Sequence, residues 1–144
     1  MIKASWKKHV LTFKIPGGTS RGVLKEKETY FLILEQEGVK GIGECGILRG
    51  LSYDDRPGYE DKLTWVCENI NEGLDVLYPA LKDWPSIQFG AEQAFRMLEV
   101  GGSNVLFDTP FTQGKRGIPV NGLIWMSDKE TMQKQIEQKL EEGF

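Results

Sequence analysis

The chain has 144 residues, enough for one domain with a real core and too few for two generous ones. Hydrophobic residues make up 40% and charged residues 27%, with a formal net charge of -3. This balance argues against disordered, collagen-like and disulfide-framework classes and, with no long basic run, against nucleic acid as a partner.

From the start, Ile2 to Lys14 reads as a strand that runs into a turn at Ile15-Pro16-Gly17-Gly18. Gly17 to Gly22 reads as a flexible loop, and Thr29 to Gln36, rich in aromatic and β-branched residues, as a second strand. Glu37-Gly38 is a turn and Val39 to Cys45 the returning strand, so the first third is an antiparallel meander. Gly46 to Gly58 is a long loop. Tyr59 to Leu77 carries helical periodicity, with Leu63, Val66, Cys67, Ile70, Leu74 and Leu77 on one face. Pro79 and the Trp84-Pro85 step break that helix. Ser86 is predicted to cap the next, with Ile87, Ala91, Ala94, Phe95 and Leu98 inward and Gly101-Gly102 ending it. Strands followed by helices make an α+β domain.

The character then changes. Residues 107–117 read as a linker and Ile118 to Met126 as a short apolar strand. Ser127 and Glu130 have the spacing of a capping box, and the helix that follows places Met132, Ile136 and Leu140 on one stripe. A lone strand–helix unit cannot bury both its faces, because a parallel sheet needs further strands beside it. The spacing therefore reads as a βα repeat cut short at Phe144. The expected domains are 1–106 and 107–144.

The residues with chemistry to offer are sparse. Gly17-Gly18-Thr19-Ser20-Arg21-Gly22 lacks the spacing and the Gly-Lys-Ser/Thr ending of a phosphate loop. Gly41-Ile42-Gly43-Glu44-Cys45 lacks the third glycine and the helix of a dinucleotide fingerprint, and a strand ending in glycines points instead to close backbone packing. Glu44 alone cannot do paired-carboxylate work and reads as a structural hydrogen bond or ion pair. His9, the single histidine, lies in the first predicted strand beside lysines and reads as solvated. Cys45 and Cys67 form no Cys-x-x-Cys pair, so reduced thiols are expected, with Cys67 a small core residue. Asp54 and Asp55 read as a turn or helix-start feature rather than a cation site. No complete metal site is encoded. No apolar run is long enough for a signal peptide or a membrane span, and a cytoplasmic location without membrane partners is expected.

Four stretches in order resemble the muconate-lactonizing and mandelate-racemase type of the enolase superfamily. They are Thr19 to Gly22 with Lys27 to Leu34; Gly41-Ile42-Gly43-Glu44-Cys45; Pro85 to Ala94; and Ile118-Pro119-Val120-Asn121-Gly122-Leu123-Ile124-Trp125. Within that branch, Leu48 to Asp55 and Pro119 to Met126 look most like o-succinylbenzoate synthases, with dipeptide epimerases and N-acylamino-acid racemases sharing the architecture. The resemblance implies an amino-terminal lid domain followed by the first strand and helix of a (β/α)8 barrel. It also implies a Mg2+-dependent dehydration through an enediolate, in menaquinone biosynthesis. The family's Lys-x-Lys pair and metal carboxylates would lie beyond Phe144, so no catalytic or metal residue is assigned, and this stretch alone is expected to be inactive. By position, two lid loops contribute the candidate substrate contacts Ser20, Arg21, Leu48, Arg49, Gly50 and Leu51, with Trp125 near the barrel mouth. The implied ligand is a small acidic substrate, and the exposed barrel unit is expected to favour association. A stand-alone, non-catalytic binding module is the rival reading.

Overall fold

The computed structural model describes residues 1–19 and 22–144. The chain divides into two compact units, Met1–Leu11 with Lys27–Asp108, and Thr12–Glu26 with Thr109–Phe144. One sheet of three strands has the order β1 (Lys3–Thr19), β2 (Gly22–Gln36), β3 (Val39–Gly46). The predicted meander is present, and β2 and β3 pair antiparallel from Thr29↔Gly46 to Gln36↔Val39. Their connection is a two-residue turn with both φ positive, Glu37 at 53° and Gly38 at 82°, the geometry that matches the twist of a tight hairpin.

The first hairpin is longer than predicted. Ile15 to Thr19 continues β1 instead of turning. Pro16 is tolerated because β1 lies at the sheet edge, where a missing N–H breaks no inner ladder. Ser20 and Arg21 lie outside the described residues.

In the first unit the core follows from the period-2 pattern of β2. Tyr30, Leu32 and Leu34 point to one face and are fully buried. The helices that supply the rest of this core are α1 (Tyr59–Glu68), α2 (Leu74–Ala80) and α3 (Pro85–Glu99). The single helix expected over Tyr59 to Leu77 is thus broken. Gly73 sits at φ 85°, ψ 163°, a conformation open essentially to glycine, and a 3-10 turn at Ile70–Glu72 leads into it. The predicted inward side chains Leu63, Val66, Ile70 and Leu77 are nonetheless buried. Pro79 lies within the last turn of α2 rather than ending it.

α3 packs closely on β3, and glycine makes this possible. A Cβ on Gly43 would lie 1.7 Å from the Gly90 carbonyl oxygen, and one on Gly41 2.1 Å from that of Ala94. From the other side, a Cβ on Gly90 would meet Cys45 Sγ at 2.3 Å. Backbone therefore rests on backbone, as the Gly-x-Gly ending of the strand suggests. α3 also closes the open edge of the sheet. The Glu44 N–H donates to Gln93 Oε1 at 3.1 Å and the Ile42 N–H to Met97 Sδ at 3.3 Å, so two helix side chains satisfy edge groups that a further strand would otherwise pair.

The ends of α3 are fixed differently. Ser86 does not cap it; Pro85 is the first helical residue and Trp84 makes no side-chain cap. The cap comes from Asp54, 1% exposed, whose Oδ2 accepts from Ser86 N at 2.9 Å and from Ser86 Oγ at 2.6 Å. At the other end, Gly102 N donates to Met97 O (2.8 Å) and Gly101 N to Leu98 O (3.0 Å), a Schellman closure.

The second unit holds α4 (Lys129–Glu141) and the far part of the β1–β2 hairpin. Its cap is Asp128, one residue later than predicted: Oδ1 accepts from Thr131 N at 2.9 Å and Oδ2 from Thr131 Oγ1 at 2.7 Å. Ser127 instead hydrogen-bonds to Asp128. Ile118 to Met126, expected as a strand, carries no ladder, because a strand exists only with a neighbour to take its N–H and C=O groups. No residue of α4 is buried, and the predicted stripe leaves Ile136 at 45% and Leu140 at 67% exposure.

Candidate functional site

The loop after β3 is built around one guanidinium. Arg49 Nε donates to Glu28 Oε2 at 2.9 Å, and its Nη2 also binds that carboxylate. Arg49 Nη1 donates to Asp55 Oδ1 at 2.6 Å, while Asp55 Oδ2 accepts the Gly50 N–H at 2.6 Å. Gly50 takes a positive φ of 74°, which lets the turn fold back on Asp55. Within the turn, Leu48 N donates to Ser52 Oγ at 2.9 Å, and Leu51 N and Ser52 N donate to Leu48 O at 3.0 and 2.9 Å. Leu48 and Leu51 are half-buried, and Arg49 and Gly50 are exposed.

Three more side chains join the network. Lys8 Nζ pairs with Glu28 Oε1 at 3.0 Å, and the Tyr30 hydroxyl donates to Glu60 Oε1 at 2.9 Å. Lys8 and then Arg49 hold the Glu28 carboxyl below the usual carboxylate range. The Gly50 N–H and then Arg49 do the same for Asp55, and hydrogen bonding to Asp55 raises Arg49 further. Arg49 is thus a fixed, permanently charged tie that holds the loop to β2, its Nη2 also reaching the Tyr30 hydroxyl at 3.2 Å.

Glu44 is held in the same manner. Its Oε1 accepts from Thr29 Oγ1 at 2.8 Å and from Lys27 Nζ at 3.1 Å, and these bonds lower its pKa. Both bonds tie it to side chains of β2. His9 is exposed, its ring 6.4 Å from that of Phe31. Burial pushes the Cys45 thiol up to about 12 and the Cys67 thiol up to about 11, so neither is an activated nucleophile near neutrality. Among the described residues no group of three or more His, Cys, Asp or Glu converges as a metal site. A cleft of about 620 Å3 is lined by Leu74, Phe89, Glu92, Arg96, Leu106 and others. Arg96 within it is engaged by Glu99 at 2.9 Å and by the Leu106 carbonyl at 2.9 Å, and no nucleophile–base pair lies there.

In the second unit, Trp125 is half-buried. Its Nε1–H donates to the Pro16 carbonyl at 3.1 Å, and its ring lies 6.2 Å from that of Phe13. The backbone of Trp125 is gripped by one carboxamide: its N–H donates to Gln135 Oε1 at 2.6 Å and its C=O accepts from Gln135 Nε2 at 3.2 Å.

The structure therefore joins Leu48, Arg49, Gly50 and Leu51 in one loop and seats Trp125 against residues 13–17, while Ser20 and Arg21 lie outside the described residues. Sequence reasoning missed Glu28 and Gln135; it read Asp54 as a turn or helix-start feature without locating the helix it caps, α3. Glu28 is 21 residues from Arg49 and Asp54 is 32 from Ser86, separations at which no local spacing carries a signal. Gln135, ten residues from Trp125, sits on a helix face that reads simply as polar.

No protein-family model matches the chain. The o-succinylbenzoate synthase of Desulfotalea psychrophila (strain LSv54 / DSM 12343) is 33% identical over 174 residues, an alignment that takes in 99% of this chain and 47% of that protein. The crystal structure of MenC from Desulfotalea psychrophila LSv54 matches with a TM-score of 0.74 at 30% identity, again over 99% of this chain and 47% of that one. The chain spans about half the length of the curated relative it matches. The meander followed by helices is the arrangement this match shares. On sequence and fold together, the chain is similar to that o-succinylbenzoate synthase over almost every one of its own residues.

Proposed function

We propose that this chain forms the amino-terminal part of an o-succinylbenzoate synthase-like lyase, with residues 1–106 as the lid domain and 107–144 as the linker and first βα unit of a barrel. The observation that carries the reading is the 33% identity over 99% of the chain. In this reading the Leu48 to Ser52 loop, together with the far end of the β1–β2 hairpin, excludes water and shapes specificity toward a small acidic substrate. The Arg49 tie narrows the part played by the second loop. With its guanidinium held by Glu28 and Asp55, Arg49 preorganises the loop, and contact with substrate falls to Leu48, Gly50 and Leu51.

The resemblance implies Mg2+ chemistry for the parent enzyme. The described carboxylates do not converge as a metal site, so they do not fit that ion. The dehydration is assigned to the parent polypeptide, with 144 residues alone inactive. A cytoplasmic location belongs to the same reading, and no helix among the described residues is long and apolar enough to cross a membrane. Association through the exposed apolar side chains of residues 118–144 is a further part of it.

The test is a chimera in which this chain replaces the matching part of the Desulfotalea psychrophila synthase, assayed for Mg2+-dependent formation of o-succinylbenzoate. Turnover by the chimera and none by the 144-residue chain is expected. A folded but inactive chimera, or turnover by the short chain, would overturn the proposal.

A further inference from the structure

We propose that Trp125 is a latch for the far end of the β1–β2 hairpin and that Gln135 holds the latch in place. A two-stranded ribbon has little stability of its own in water. The far part of this one, Thr12–Glu26, is grouped with residues 109–144, and its apolar side chains Ile15 and Val23 are each 64% exposed. Something other than a core must hold it. The one buried position of β1 is Gly17, and what covers it is the Trp125 indole: a Cβ on Gly17 would lie 3.1 Å from Cζ2. Next to it, a Cβ on Gly18 would lie 3.2 Å from both Cγ and the carbonyl oxygen of Met126. The paired glycines give the clearance that lets the edge of the indole and the following residue approach the strand closely.

The contact has a polar pin as well. The indole N–H donates to the Pro16 carbonyl, so strand and tryptophan are held in one register. The tryptophan is itself positioned. Gln135 on α4 offers both a donor and an acceptor to the Trp125 backbone, the pattern a neighbouring strand would supply. Asp128 fixes the start of that helix. The line of support runs from α4 through Gln135 and Trp125 to Pro16 and Gly17. Releasing any member frees the ribbon end while the near part of the sheet, tied to α3, stays closed. As a conformational device the latch stands on these contacts and does not depend on the enzymatic reading.

Hydrogen exchange on the whole chain tests it, comparing wild type with Trp125→Phe, Trp125→Ala and Gln135→Leu. Trp125→Phe keeps a ring and loses only the donor, and amides at 12–19 and 22–26 should exchange about fivefold faster, as expected for one lost hydrogen bond. Trp125→Ala should exceed this, and Gln135→Leu should resemble Trp125→Phe. Amides at 29–36 should keep their wild-type rates in all three, which separates release of the ribbon from general unfolding. In wild type the Trp125 indole proton should be slow to exchange, identified by its loss in Trp125→Phe. Unchanged exchange at 12–19 in both Trp125 variants, or an unprotected indole proton, would overturn the latch. If Trp125→Ala disturbs residues 109–144 as a whole, Trp125→Phe alone decides.

Discussion

In the first unit, Tyr30, Leu32, Leu34, Leu63 and Ile87 are all at 0% exposure, and the sheet face they share is covered by helices. In the second, Leu123 stands at 68% and Leu140 at 67% exposure, although α4 is well capped at its start and closed by Gly143 at φ 89°. Both units contain sequences with sound local signals. The difference lies in whether a second element covers the apolar face, since burial of that face supplies most of a helix's stability in a protein. Local chemistry suffices to place a helix, and a partner surface is needed to bury it.

The largest effect that would sharpen this contrast is expected at the glycine contact. Gly43→Ala forces a Cβ to within 1.7 Å of the Gly90 oxygen, so α3 must lift from β3 at a loss of about 3 kcal/mol or more in chemical denaturation. Its counterpart in the second unit, Gly117→Ala, meets nothing within 4 Å and should change stability by less than about 0.5 kcal/mol. Equal effects at the two sites would remove the contrast. Leu32→Ala should be nearly as damaging as Gly43→Ala, at about 2 to 5 kcal/mol, while Leu140→Ala should again fall within about 0.5 kcal/mol.

Helix caps give an intermediate test. Asp54→Ala leaves the Ser86 N–H without its buried acceptor and should lower stability by about 1 to 2 kcal/mol. Asp128→Ala removes a cap that is open to water and should cost less than Asp54→Ala, seen as lost helicity rather than a shifted cooperative transition.

The smallest effect is the acid response. Glu28 and Asp55 both have folded pKa values below their unfolded ones. Their contribution is complete above the ordinary carboxylate pKa of about 4 and is lost as the pH falls through the lowered values. A denaturation midpoint measured from pH 7 down to pH 2 should therefore fall below about pH 4. Glu28→Gln should flatten that fall; an unchanged slope would show that the Arg49 tie contributes no pH-dependent stability.

Much of the first unit was legible because its signals are local and periodic. The alternation of Tyr30, Leu32 and Leu34, the Glu37-Gly38 turn and the terminal glycines of α3 all report the geometry they adopt. Gly41 and Gly43 also announced close packing, though not the helix they touch. What stayed hidden depends on distant partners. The break at Gly73 overrides a helical stripe whose side chains are still buried, so periodicity could not reveal it. Ser86 and Ser127 looked like caps because serine is a good one, yet in each case an aspartate is the residue that caps. The run Ile118 to Met126 has strand chemistry, and only the absence of a paired neighbour keeps it from being one. For the candidate site, position pointed to the Leu48 to Ser52 loop, but the role of Arg49 as a tie required knowing that Glu28 lies across from it.

The way Gln93 and Met97 meet β3 has one more consequence. A sheet border with free amides is a template on which foreign polypeptide can polymerise. Here the acceptors come from a helix, which has no repeat along which such growth could continue. The border at Ile42 and Glu44 is therefore sealed against fibril formation for as long as α3 stays seated, and loosening that helix would unfold one element and uncover an adhesive edge in the same event.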